Sequence, residues 1–143
     1  MKALIFCITI LSFAAADLIA QTTSNIVLSG QDNVPRIQTP ALGNVDVTVH
    51  GDSLFVSGTF ENLRGSYWAA FVQYGPPGES GNRIFRLTVD LNEDRNGGEF
   101  DEEKNRFEMR PAIREALKNG NLYVQISTNS HQNGEIRGQI PRM

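Results

Sequence analysis

Cysteine is nearly absent from this sequence. The single cysteine, Cys7, lies in an apolar stretch near the N-terminus, so residues 21–143 contain none. That absence excludes a disulfide, a thiol nucleophile and a cysteine metal ligand from this part of the chain. Many small secreted domains depend on disulfides, whereas a chain of about 120 residues can bury a sufficient hydrophobic core without them.

Long hydrophobic runs are also lacking. The longest run, at residues 3–16, has roughly 14 residues, whereas a membrane-spanning helix needs about 20. Because Lys2 precedes this run and small residues follow it, the pattern predicts a signal peptide over residues 1–20 rather than an uncleaved anchor helix. We expect cleavage after Ala16 or Ala20. The mature chain is therefore predicted to be secreted, extracellular or periplasmic, with no membrane span.

An excess of charge of one sign is missing as well. The chain carries 13 Lys and Arg residues against 16 Asp and Glu residues, which gives a net charge of −3. Proteins that bind nucleic acids present a basic patch to the phosphates. The charge balance therefore predicts no nucleic-acid partner.

Residues typical of enzyme active sites are scarce. The two histidines, His50 and His131, each adjoin a predicted turn, where side chains are usually solvated. No nucleophile elbow is present. The Gly-Pro-Pro-Gly segment at 75–78 lacks the Lys-Ser/Thr pair and the helix of a phosphate loop. The sequence therefore predicts a protein that is not an enzyme.

What the sequence does contain is a period-two alternation of apolar and polar residues, which is typical of half-buried strands. Val45, Val47 and Val49 alternate with polar neighbours, and a second alternating run follows the Gly51-Asp52 turn, which predicts a β-hairpin. Further strands are predicted at residues 26–28, Tyr67–Tyr74, 84–90, Leu122–Thr128 and 135–140. This pattern favours an all-β fold: an antiparallel Greek-key-like β-sandwich with one short helix, in one domain over residues 24–143.

The short helix is predicted over Pro111–Lys118. Pro111 suits the first helical position, where an N–H group would have no partner. Gly120 suits the residue just past the end, where a left-handed conformation is common. Because the helix is short, only packing against the sheet would stabilise it.

The C-terminal segment, GNLYVQISTNSHQNGEIRGQI at 120–140, resembles the closing hairpin of CHRD (chordin-like) domains. LSGQDNVP at 28–35 resembles the opening of that family, and GTFENL at 58–63 resembles the end of its third strand. The Ala69-Ala70 pair and the turn at 75–78 resemble its central strand and Gly/Pro turn. The resemblance covers nearly the whole mature chain and implies a β-sandwich of the free-standing microbial type.

Three positions depart from the resemblance. Many microbial CHRD domains carry a His-x-His pair on the central strand and a third histidine in the closing strand, a set that could hold a transition metal. The matching positions here are Phe71, Gln73 and Ser127, and none is a usual ligand of that kind. We therefore expect no copper or zinc site and no dismutase activity.

One acidic segment, DLNEDRNGGEFDEE at 90–103, carries ligand chemistry for calcium, which binds six to eight hard oxygens. The candidate ligands are Asp90, Asn92, Asp94, Asn96 and Glu103. Their spacing approaches an EF-hand loop, although the first ligand would be Asn92 and no helix precedes it. The favoured alternative is a solvated acidic loop between strands without metal.

Two other groups of residues attract interpretation. Glu135 and Arg137 lie on one face of the last predicted strand, where we expect an exposed ion pair worth at most about 1 kcal/mol rather than a contact surface. Strand alternation places Trp68 and Tyr74 on one side of their strand and Tyr67 and Phe71 on the other. Most of these four rings are expected in the core, and an outward-facing pair would form a binding patch.

The sequence as a whole predicts a secreted CHRD-like domain that acts as a non-catalytic extracellular binding or structural module. Its partner is expected to be an extracellular protein or matrix component that the sequence does not identify, and no cofactor is expected. Two alternatives stay open: a calcium-stabilised surface protein that uses the loop 90–103, and, least favoured, a dismutase-like metalloenzyme.

Overall fold

The computed structural model describes residues 19–143. The predicted signal peptide, apart from its last two residues, and Cys7 therefore lie outside the described residues. Ile19 and Ala20 are exposed and precede the first strand. Within the described part of the chain, no helix has the length and apolar character needed to cross a membrane.

The described residues form ten strands and one helix, as the all-β prediction requires. Every strand pair is antiparallel. In chain order the elements are β1 (Gln21–Ser29), β2 (Leu42–His50), β3 (Ser53–Glu61), β4 (Tyr67–Tyr74), β5 (Arg83–Arg86), β6 (Asp90–Leu91), β7 (Gly98–Phe100), β8 (Arg106–Glu108), α1 (Pro111–Lys118), β9 (Leu122–Thr128) and β10 (Ile136–Ile140).

The strands are joined into one curled sheet of order β5-β4-β9-β10-β1-β2-β3-β7-β6, with β8 also paired to β3. β1, β2 and β3 follow one another as neighbours, and β10 lies beside β1. The order β10-β1-β2-β3 resembles the 4-1-2-3 order of a Greek key, although the strand beside β1 is the last of the chain rather than the one that follows β3. The two layers of the sandwich are thus two halves of a sheet that curls over its own core.

The predicted alternation places the core inside the curl. Val45 and Val47 on β2, and Leu54 and Val56 on β3, have no exposed surface, while their neighbours along each strand face outward. Full burial of one such side chain stabilises a fold by about 1.5–3 kcal/mol. The hairpin register pairs His50 with Ser53 around the predicted two-residue turn.

The helix has the predicted bounds. Pro111 occupies its first turn, and Gly120 lies just beyond its end with a φ of +72°. Ala116 and Leu117 are buried and join the sheet residues in one hydrophobic core. Short local signals thus placed the helix, and packing stabilises it.

The stretch that follows β4 differs from prediction. β5 ends at Arg86 rather than at residue 90, and the acidic segment after it contains the short strands β6 and β7. β7 and β8 pair with β3. These strands form because β3 offers a free edge to them, and their own sequence carries too little apolar alternation to reveal them.

The connection between β9 and β10 also corrects a prediction. The dipeptide Asn133-Gly134 by itself predicts a two-residue type I′ turn, but β9 ends at Thr128 and β10 begins at Ile136. Residues 129–135 form a longer loop with consecutive turns, in which His131 N donates to Thr128 O and Gly134 N donates to His131 O. Gly134 does have a positive φ, of +113°.

Candidate functional site

The three positions singled out on the central and closing strands come together on one sheet face. Phe71 pairs with Gln125 across the β4–β9 ladder, Gln73 pairs with Tyr123, and Ser127 pairs with Ala69. Because alternate residues of a strand share a face, Phe71, Gln73 and Ser127 lie opposite to the core residues of these strands. We call this the outer face of β4 and β9.

A polar cleft of about 710 Å³ opens over this face. Gln73, Tyr123 and Gln125 form its floor. Its walls are the Val34-Pro35 segment, the loop at 80–83 and the turn at 132–133. Gln73 and Gln125 are only 7% and 5% exposed, so loops from three distant parts of the chain cover the floor. The volume is within the usual range of small-molecule sites, about 300–1,000 Å³.

Hydrogen bonds fix the buried end of the cleft. Gln125 Nε2 donates to Asn33 Oδ1 at 2.7 Å, and Asn33 Nδ2 donates to Gly134 O at 2.9 Å and to Pro35 O at 3.1 Å. Asn33 is 2% exposed. This network links the floor to two walls through a side chain 92 residues from Gln125 in sequence.

A second set of hydrogen bonds fixes the loop at 80–83. Gln73 Nε2 donates to Gly81 O, and Gly81 N donates to the hydroxyl of Tyr123, each at 3.1 Å. Both floor glutamines thus use their amide N–H groups within the protein. Because each amide N–H group is bonded to the protein, the orientation of each amide is fixed.

Arg137 lies beside the floor of the cleft, on the same sheet face as its cross-strand partner Gln125, and corrects an expectation. It is 1% exposed, its guanidinium lies 3.6 Å from the ring centroid of Tyr123, and it donates to Glu79 O at 2.7 Å and to Pro76 O at 3.1 Å. Burial lowers its pKa from the ordinary value. The expected exposed ion pair with Glu135 is therefore wrong: Arg137 binds carbonyl groups and an aromatic face instead.

Glu135 is fully buried at the other side of the β9–β10 loop. Its Oε1 accepts from Thr39 Oγ1 at 2.6 Å and from Arg64 N at 2.7 Å, and its Oε2 accepts from Gly65 N at 3.4 Å. Burial raises the pKa of Glu135, but these hydrogen bonds outweigh burial and hold the pKa below its ordinary value. The carboxylate thus joins three segments of the chain, a structural role that the sequence did not indicate.

His131 is not the solvated turn residue that was expected. Its Nδ1 lies 3.9 Å from Glu135 Oε2, and its side chain is 30% exposed. That nitrogen is buried and has no hydrogen-bond partner among the described residues. His50, in contrast, ends β2 on the surface as predicted.

Aromatic and arginine side chains stack beside the cleft, and they break the predicted alternation. Trp68 and Tyr74 are 40% and 46% exposed, Phe71 is half-buried, and only Tyr67 belongs to the core. The cause is a shift of register between Tyr67 and Ala69. The expectation that most of these rings lie in the core is therefore wrong. The Arg83 guanidinium stacks on two of these rings: it lies 5.2 Å from the ring centroid of Trp68 and 4.6 Å from that of Phe71.

The candidate calcium ligands lie on the opposite half of the sheet, around β6 and β7. Both carboxylate oxygens of Asp90 accept from Lys104 Nζ, at 2.7 and 2.9 Å. Asn92 Oδ1 accepts from the backbone N–H groups of Asn96 and Gly97. Asp94 and Glu103 are exposed. Asn96 Oδ1 accepts from Asn92 Nδ2 at 2.7 Å. Three of the five candidate ligands, Asp90, Asn92 and Asn96, thus already have partners for their side-chain oxygens within the protein.

A second cleft, of about 930 Å³, borders this loop, and we call it the acidic cleft. It is lined by Glu99, Asp101, Glu102 and Glu103, with Arg106 opposite them. Among residues 19–143, no group of three or more His, Cys, Asp and Glu side chains has a geometry suited to a metal ion. Calcium binding by the loop 90–103 stays a prediction that a titration must decide.

Sequence reasoning missed most of the polar cleft. Gln125 lies in its floor and is held there by Asn33, yet no local sequence pattern links these two residues. The available signal was a polar residue, Gln73 or Gln125, at mid-strand among apolar neighbours, since a buried polar group needs a partner.

Comparison with known proteins agrees with the fold. A family model described as the CHRD domain matches residues 24–140. No curated protein and no solved structure matches the chain. The match spans both the polar cleft and the acidic cleft.

Proposed function

The chain belongs to the CHRD domain family, and from that premise we propose that it is a secreted, non-catalytic module that binds an extracellular partner through the polar cleft. The observation that carries the proposal is the preformed floor of Gln73 and Gln125, whose amide orientation is fixed by hydrogen bonds. A site that is ordered before binding loses less conformational entropy when a ligand arrives.

The chemistry of the outer face supports binding rather than catalysis. Many microbial CHRD domains carry histidines at three positions of this face. The matching residues here are Phe71, Gln73 and Ser127, which carry a phenyl ring, an amide and a hydroxyl. None of these groups is a transition-metal ligand of useful affinity. The amides neither titrate nor act as nucleophiles near neutral pH, which leaves hydrogen bonding as their contribution.

Secretion is part of the proposal and is supported by the apolar run at residues 3–16 with Lys2 before it. The fold has no cysteine, so its core is independent of the redox state of the compartment. Its partner in this proposal is a protein or matrix component outside the cytoplasm.

Calcium binding is a second proposal, favoured by the further carboxylates of Glu99, Asp101 and Glu102 within the loop 90–103. An ion bound to Asp90 would have to displace Lys104, whose ammonium now neutralises that carboxylate. Calcium in this proposal stabilises the loop rather than the polar cleft.

A retention experiment with matched variants tests the binding proposal. Residues 21–143 would be immobilised as wild type, as Ser80→Trp and as Glu102→Trp. Ser80 is exposed on the rim of the polar cleft and Glu102 is exposed at the acidic cleft, so each variant adds the same bulk to a different cleft. We expect one species from the native extracellular fraction to be retained by wild type and Glu102→Trp and to be lost from Ser80→Trp.

Two results would overturn the proposal. Equal retention by Ser80→Trp would place binding elsewhere, and no retention by wild type would refute the binding role. The non-catalytic part has its own test, elemental analysis of the purified protein. One tightly held copper or zinc ion per chain would contradict it.

A further inference from the structure

The lining of the polar cleft is dominated by carboxamides. Five of its side chains are of this kind: Gln73, Asn82, Gln125, Gln132 and Asn133. A carboxamide has both donors and acceptors in one plane. A hydroxyl group also donates one hydrogen bond and accepts others, so a dense set of carboxamides matches a ligand with many hydroxyl groups.

Charge in the cleft is of one sign. Arg83 is the charged residue of the lining, and no carboxylate of the described residues lines this cleft. Arg83 forms no ion pair with any carboxylate of residues 19–143. Its guanidinium is held between Trp68 and Phe71 instead, which orients a planar donor pair suited to a carboxylate or sulfate.

The backbone of the floor excludes a peptide that would add to the sheet as a further strand. β4 is hydrogen-bonded to β5 and β9, and β9 to β4 and β10, so neither floor strand has a free edge. Peptides that add to a sheet need such an edge for their main-chain hydrogen bonds. Recognition at this floor must therefore use side chains, and those side chains suit hydroxyl groups.

We infer that the polar cleft binds an acidic oligosaccharide, with sugar hydroxyls on the carboxamides and one carboxylate or sulfate on Arg83. The inference rests on the proposed function and names the ligand class for that site. The exposed ring of Trp68 beside Arg83 adds an apolar surface against which a sugar ring can pack.

Calorimetric titration with defined saccharides tests the inference. The probes are tetragalacturonate, which carries carboxylates, a sulfated galactan tetrasaccharide, and the methyl ester of tetragalacturonate, which keeps the hydroxyls but loses the charge. We expect at least one acidic tetrasaccharide to bind. If the carboxylate form binds, its methyl ester should bind at least about tenfold more weakly, since hydrogen bonds to charged groups are the stronger ones.

Variants locate the binding. Arg83→Met should weaken the affinity by about tenfold or more, and Asn82→Ala by about fivefold. The matched control is Arg86→Met: Arg86 lies on the same strand and stacks on Phe71 at 5.9 Å but does not line the cleft. We expect its affinity to stay within about twofold of wild type. Each variant's melting temperature would confirm that it folds.

Several results would overturn the inference. These are no binding of either acidic tetrasaccharide, equal binding of tetragalacturonate and its methyl ester, or equal losses in Arg83→Met and Arg86→Met. To separate this failure from failure of the proposed function, the native extracellular fraction would be treated with protease or with periodate before the retention experiment.

A species that wild type retains and Ser80→Trp does not, and that is lost after protease but survives periodate, would be a protein partner. That result refutes the saccharide and keeps the binding role.

Discussion

Replacement of Glu135 by glutamine is the sharpest test of how the fold holds the walls of its clefts together. The carboxylate accepts hydrogen bonds from Thr39 Oγ1, Arg64 N and Gly65 N and is fully buried. Glu135→Gln keeps the shape of the side chain but removes the charge and turns one acceptor into a donor. That new donor must face groups that are themselves donors.

The loss of stability in Glu135→Gln can be estimated from those hydrogen bonds. A hydrogen bond to a charged group contributes about 1.5–3 kcal/mol, against about 1 kcal/mol for a neutral one. Two short bonds are weakened by about 0.5–2 kcal/mol each, so Glu135→Gln should lower the free energy of unfolding by roughly 1–4 kcal/mol at pH 7. For a domain of this size that corresponds to a fall in melting temperature of roughly 4–16 °C.

The stability that Glu135 contributes depends on pH. The pKa of Glu135 is lowered on folding, so its contribution to stability is fully present above the unfolded-state pKa, about 4.3. The contribution is lost as the pH falls through the lower folded-state pKa. The stability difference between wild type and Glu135→Gln should therefore shrink as the pH falls below about 4.5.

Urea unfolding followed by the fluorescence of Trp68, from pH 7 to pH 3, measures that difference. Glu61→Gln is the matched control, because Glu61 is exposed and its loss should change stability by less than about 0.5 kcal/mol. The reasoning is refuted if Glu135→Gln unfolds within about 0.5 kcal/mol of wild type at pH 7, or if the difference does not shrink as the pH falls below about 4.5.

Three further predictions follow from other parts of the chain. Gly134→Val should lower the free energy of unfolding by about 2–4 kcal/mol, because the φ of +113° strains a β-branched residue and its Cβ would contact Gln125; an unchanged melting temperature would contradict this. If calcium raises the melting temperature, Asp94→Ala should abolish the shift, and an undiminished shift would exclude the loop 90–103. N-terminal sequencing of exported protein should give a start after Ala16 or Ala20, and a start at Met1 would refute the signal peptide.

Local sequence signals predicted much of this fold. β4, β9 and α1 have the predicted bounds, because alternation, Pro111 and the glycine after the helix act over a few residues. β6, β7 and β8 were missed because their pairing with one another and with β3 stabilises them. Such tertiary pairing leaves little trace in a short, polar sequence.

The site was predicted less completely than the fold. Strand alternation correctly placed Phe71 and Gln73 on one face, but the shift of register near Trp68 reversed the expected positions of two rings. Glu135 and Arg137 were expected at the surface, and loops from elsewhere in the chain bury both. Long-range burial of this kind depends on which loops close over a strand, and a local pattern contains no record of it.

The most direct test of the binding role is a nuclear magnetic resonance titration of isotope-labelled protein. The titrant would be the extracellular species that wild type retains and Ser80→Trp does not. The side-chain amide signals of Gln73 and Gln125 should shift in proportion to occupancy, while the backbone signal of Glu102 at the acidic cleft should not move. Largest shifts at Glu102, with the two glutamine signals unchanged, would contradict the account.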